Sequence, residues 1–105
     1  MDVMSVVPGE LLALDGRLSL RTVASVREVL HAGVRDGAGD LVLDLHAVQA
    51  CDTAGLALLL SVHRLAAAGG RRLVLTRVPP VVTRALLRSR LHRVLTVRER
   101  TAALV

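Results

Sequence analysis

LVLDLHAVQACDTAGLALLL, residues 41 to 60, carries the chain out of a strand and into a helix. Leu41 to Leu45 is a near-continuous aliphatic run of strand length, the pattern of strands that helices cover, as in parallel sheets. Ala54 to Ala68 reads as a helix that Gly69 and Gly70 close. Asp52 and Thr53 both stand where an N-cap residue belongs, and a side-chain oxygen there accepts hydrogen bonds from the first free backbone amides. One cap explains one of the two polar residues and leaves the other over.

The flanks repeat the alternation. Upstream, Val3 to Val7 reads as a short edge strand, and Glu10 to Leu14 as a second strand that an Asp15-Gly16 turn closes. Leu20, Val23, Val26, Leu30 and Val34 then form a stripe at spacings of three and four, which predicts an amphipathic helix over residues 20 to 35, ended by the glycines of DGAGD at 36 to 40. Downstream, RLVLTRV at 72 to 78 reads as another buried strand. Pro79 and Pro80 open a third helix that runs to about Arg88, since proline in the first turn loses no needed hydrogen bond. Residues 91 to 97 hold a turn and a last short strand, and Arg98 to Leu104 a short terminal helix. Strand-helix-strand units with short loops favour parallel pairing and right-handed crossovers. The expectation is an α/β fold over residues 1 to 105, a single domain with a small, mixed, mostly parallel sheet and helices packed mainly on one side.

Composition narrows the function. The chain is 52% apolar and has no aromatic residue, so its core is Leu, Val and Ala, with no flat ring on which to stack a base or sugar. The single Cys51 makes no intramolecular disulfide, no basic stretch followed by a long apolar run opens the chain, and the apolar block from Ala54 to Val62 is far shorter than the roughly 18 residues of a membrane span. A soluble cytoplasmic protein is expected, with no membrane contact. All fourteen basic residues are arginine, as GC-rich coding favours. Residues 1 to 63 hold four of them against eight acids, and residues 64 to 100 hold ten against Glu99. Such asymmetry can mark a nucleic-acid surface, but these arginines are spread over helix, strand and turn, and no nucleic-acid partner is expected from them.

Nor does the chain carry a catalytic pattern. His31, His46, His63 and His92 are not spaced as metal ligands with Cys51 or with one another, and GxGxxG, GxxxxGKS, HExxH and CxxC are all absent. No metal, no cofactor and no enzymatic activity are expected. The junction at Asp52 and Thr53 is different, because free amides and the positive end of a helix dipole also receive an added phosphate. A hydroxyl there suits a switch. The helix behind it presents Leu56, Leu59 and Leu60 on one side and Leu58 and Val62 on another. Either a leftover apolar stripe serves a partner, a second copy included, or neighbouring helices cover both.

The strand LVLDL, the segment HAVQACDTAGLALLL and the succession GGRRLVLTRVPPVVTRALLRSRLHRVLTV together resemble the STAS domain, specifically the small bacterial anti-sigma factor antagonists. The resemblance extends from LDGRLS at 14 to 19 through VLTV at 94 to 97. It implies partner switching: the antagonist binds an anti-sigma factor that is also a Ser/Thr kinase, frees the sigma factor, and is released when the hydroxyl residue after the signature aspartate is phosphorylated, until a metal-dependent phosphatase restores it. The resemblance places phosphorylation at Thr53 and partner binding at Asp52, Ala54, Gly55, Leu56 and Leu59. Three positions depart from the family's habit: Thr53 stands for a usual serine, Ser19 for a frequent acid in the G-x-L-D turn, and Arg90 for a frequent glycine after the third helix. An adaptor that binds without phosphorylation, and an arginine-rich nucleic-acid-binding module, are the alternative readings.

Overall fold

Residues 1–98 are described by a computed structural model in which five strands form one sheet in chain order. The elements are β1 (Asp2–Val7), β2 (Leu11–Leu18), α1 (Val23–Arg35), β3 (Asp40–Cys51), α2 (Thr53–Ala68), β4 (Arg72–Thr76), α3 (Pro80–Ser89), a 3-10 turn (Leu91–Arg93) and β5 (Thr96–Arg98). β1 pairs antiparallel with β2, and every later neighbour is parallel. Core residues of α1, α2 and α3 pack against the same face, as crossovers of one hand between successive adjacent parallel strands require. Leu41, Leu43 and Leu45 of β3 and Leu73 and Leu75 of β4 point to that face, and with residues of all three helices they form one aliphatic core. The other face is mixed: beside the buried Val74 and the half-buried Leu11 and Val42 it carries ion pairs, Asp40 with Arg72 at 2.9 Å and Arg98 at 3.3 Å, and Asp44 with Arg77 at 2.6 Å.

Two strands run longer than the sequence pattern predicts. Asp15-Gly16 is not a turn; β2 continues through it to Leu18, and Gly16, at φ +118, lies at a register shift against β3. β3 likewise continues past Leu45 to Cys51, where it pairs with β2 alone. Its exposed His46, Ala47 and Gln49 lie on a two-stranded extension, and the bulges disturb the two-residue alternation on which strand recognition depends. Conversely, β4 stops at Thr76, two residues before the expected end. The expected terminal helix lies outside the described residues, except that Arg98 ends β5.

α1 begins at Val23 instead of residue 20. Residues 19 to 22 form a turn in which the Thr22 N–H donates to the Ser19 carbonyl at 2.9 Å. The Thr22 hydroxyl donates to the Arg17 carbonyl at 2.6 Å and accepts from the Ser19 N–H at 3.0 Å. Leu20 thereby leaves the apolar stripe and is 76% exposed.

At the opposite end of the sheet Arg71 is buried among backbone carbonyls. Its Nη1 donates to the Gly33 and Val34 carbonyls at 2.9 and 2.8 Å, its Nη2 to that of Gly9, and its Nε to that of Gly39 at 3.0 Å. Two of these acceptors belong to the last turn of α1, whose carbonyls have no partner within the helix and carry the negative end of its dipole. A planar, five-donor guanidinium satisfies several at once.

Candidate functional site

β2 and β3 reach the same end of the sheet with Leu18 opposite Cys51, and the chain leaves both strands there. The Asp52 N–H donates to the Leu18 carbonyl at 3.2 Å, which brings the start of α2 against the turn that enters α1. Gly55 lies on the same carbonyl. A Cβ at Gly55 would overlap the Leu18 oxygen and stand 2.9 Å from Leu18 Cγ, so only glycine permits this approach.

Asp52 is the N-cap of α2, with extended backbone, and the second polar residue is freed from that duty. Its Oδ1 accepts from the Gly55 N–H at 3.0 Å, and its Oδ2 accepts from the Leu20 N–H at 3.0 Å, 32 residues away in the chain. One carboxylate therefore fastens two loops together. These amides, Gly55 first and Leu20 second, hold the Asp52 carboxyl below its ordinary value of 3.8. Thr53 follows as the first residue of α2 and is exposed. Beside it a cleft of about 450 Å³ opens between the start of α2 and the last turn of α3, lined by Cys51, Asp52, Thr53, Leu56, Ala85, Arg88 and Ser89. Burial, and after it the charge of Asp52, pushes the Cys51 thiol up to about 11. It is protonated at neutral pH and is no nucleophile there. Among the described residues, no group of three or more His, Cys, Asp or Glu side chains could hold a metal, and no helix is long and apolar enough to cross a membrane.

Residues 8–98 match the family model described as Mlab, STAS domain. The chain belongs to the STAS family. Two solved structures share the fold of this STAS domain. One, a candidate anti-sigma factor antagonist from Thermotoga maritima, has a TM-score of 0.77 at 17% identity, over 95% of this chain and 86% of the other. The second, the anti-sigma factor antagonist SpoIIAA in its unphosphorylated form, has a TM-score of 0.75 at 19% identity, over 95% and 87%. A comparison with curated proteins returned no significant match.

The STAS signature residues divide into surface and support. Asp52 and Thr53 are exposed and Ala54 is partly buried, whereas Gly55 is buried against Leu18. Leu56 retains 8% exposure at the floor of the cleft and Leu59 none. Leu59 thus cannot present itself to a partner; it holds α2 on the sheet, and its expected contact role is revised. Of the two readings of the doubly apolar helix, the structure has the covered one, with Leu60 left half-buried. Leu58 and Val62 are as buried as Leu56 and Leu59, because α1 packs along α2, with His31 Nε2 3.1 Å from the Ser61 hydroxyl across that seam.

A large exposed apolar side chain is tied to the signature at Leu20, whose N–H bonds Asp52 and which sequence reasoning had assigned to the core stripe. The Ser19–Thr22 turn could have been suspected from its Ser and Thr, which compete with the helix by bonding backbone locally. Arg88 and Ser89 were also missed, because nothing in their spacing indicates which helix end α2 meets. The basic half is less free than its composition suggests. Arg71 is buried, and Arg72, Arg77 and Arg98 are paired with Asp40 and Asp44.

Proposed function

We propose that this STAS protein is an anti-sigma factor antagonist that binds an anti-sigma Ser/Thr kinase, so freeing a sigma factor, and is switched off by phosphorylation of Thr53. The observation that carries this reading is the division of labour at the start of α2: Asp52 performs the cap, and Thr53 stands exposed one residue later. In the transfer the Thr53 Oγ–P bond forms as the bond between the β,γ-bridging oxygen and Pγ of ATP breaks. ADP leaves, and the hydroxyl proton passes to a base of the kinase. Roughly two negative charges then stand beside Asp52 on a surface that a partner must desolvate. Partner contact involves Thr53, the neighbouring Leu20 and the polar rim of the cleft. A metal-dependent phosphatase resets the switch, and the setting is cytoplasmic.

Incubation with the cognate kinase and ATP, followed by mass mapping, tests this. Modification of Thr53 is expected. An unmodified Thr53, under conditions where the kinase phosphorylates another antagonist, would rule the switch out. Thr53→Ala should retain binding and Thr53→Glu should weaken it.

An adaptor that binds through the same surface without phosphorylation is the second reading. Two features favour it: the Thr53 methyl narrows the side-chain rotamers offered to a kinase, and Ser19, in the turn fastened to Asp52 through Leu20, supplies no carboxylate. Isolation of a kinase-free complex from cells, with no phosphorylated form, is the outcome that would select it.

A further inference from the structure

Phosphorylation at Thr53 faces an obstacle that the structure makes visible. The Gly55 amide at the start of α2 is already taken, because the Asp52 carboxylate accepts from it and sets its own negative charge at the positive end of the helix. A phosphoryl group on the next residue arrives beside a like charge. The cleft itself has to supply the counter-charge.

Its lining offers one group able to do so. The Cys51 thiol is protonated and a weak donor. The Ser89 hydroxyl is turned back on its own helix, 2.9 Å from the Ala85 carbonyl and 3.2 Å from that of Leu86. Arg88, in the last turn of α3, is exposed, lines the same cleft as Thr53, and is absent from the ion pairs of the described residues, which use Arg72, Arg77 and Arg98. Its planar fork matches a phosphoryl group, two N–H donors to two oxygens.

We propose that Arg88 clasps the phosphoryl group of phosphorylated Thr53 inside the cleft between α2 and α3. The inference rests on the phosphorylation reading above and extends it. The modified side chain folds into the cleft, the guanidinium offsets the repulsion from Asp52, and the floor at Leu56 is covered. Release of the partner then comes from a filled, rearranged cleft as well as from added charge.

The test separates this clasp from the question of whether a kinase accepts Thr53. Phosphothreonine is inserted at position 53 during translation, and the second ionisation of its phosphate is followed by 31P NMR against pH at low salt. The unsubstituted chain is compared with R88Q and with R84Q, an exposed arginine of the same helix that does not line the cleft. R88Q is expected to raise the midpoint by about 0.5 to 1 unit, since the dianion loses a nearby positive charge, while R84Q leaves it in place. Equal midpoints for R88Q and the unsubstituted chain would overturn the clasp. So would an R84Q shift as large as that of R88Q, which would report net charge alone. Because the phosphate is installed without a kinase, an unreactive Thr53 in the enzymatic assay leaves this result standing, and a failed clasp leaves the switch standing.

Discussion

At one end of the sheet a carboxylate gathers amides, and at the other a guanidinium gathers carbonyls. Asp52 joins the Ser19–Thr22 turn to the start of α2 through two N–H groups. Arg71 joins the Pro8–Gly9 turn, the last turn of α1 and the loop before β3 through their carbonyls. Each uses a helix dipole of the appropriate sign. They differ in solvent: Asp52 is exposed, whereas Arg71 is 8% exposed. A tie made in water can be altered at small cost, because water replaces what is lost. A buried tie cannot be replaced in that way, since its acceptors are left without partners. The candidate switch lies at the exposed end, where a change of charge leaves the core in place.

Arg71→Met should therefore have the largest effect. It strands several buried carbonyls and should cost about 3 kcal/mol or more in urea unfolding. Recovery of full stability by methionine would show that the carbonyl cluster is held by packing alone. Gly55→Ala comes next. Its Cβ must displace the Leu18 carbonyl, with an expected loss of about 2 kcal/mol and amide shifts in the Ser19–Thr22 turn by NMR. Arg90 occupies the left-handed region at φ +64 after α3. Arg90→Gly should stabilise the chain by about 0.5 to 1 kcal/mol, because the left-handed strain removed exceeds the added entropy of glycine.

A gentler probe is acid. The folded Asp52 carboxyl ionises below its ordinary value of 3.8, so its contribution is fully present above that value and is lost as pH falls through the folded one. Unfolding midpoints should thus decline on that limb, less steeply in Asp52→Asn. Leu20→Ser should change stability least, within about 0.5 kcal/mol at this exposed position. It should still reduce partner affinity in calorimetry if the Leu20 side of the site is the contact face.

Much of this was legible in the residues. The helices over Val23–Arg35, Thr53–Ala68 and Pro80–Ser89 fall within a few residues of their expected limits, because apolar spacing, Gly-Gly and Pro-Pro are local signals. The long tails of β2 and β3 were not legible. A strand stretch exposed on its margins shows no hydrophobic alternation, and Asp15-Gly16 reads as a turn unless the partner strand at Gly16 and Val48 is known. Leu20 was misassigned for a related reason. Its spacing to Val23 is helical, but the Thr22 hydroxyl bonds to Arg17 and Ser19 and holds the turn open.

The chain by itself determined the α/β order, the aliphatic core and the place of Asp52 and Thr53 at a helix start, since these follow from patterns within a few consecutive turns of backbone. Tertiary structure decided which of the two polar residues caps the helix, that α1 covers the second apolar stripe of α2, and that Arg88 shares a cleft with Thr53. It also decided that Arg71 is the buried arginine among the described residues. The reason is the same in each case: these are contacts between residues tens of positions apart, and no local period encodes which surfaces the crossovers bring face to face.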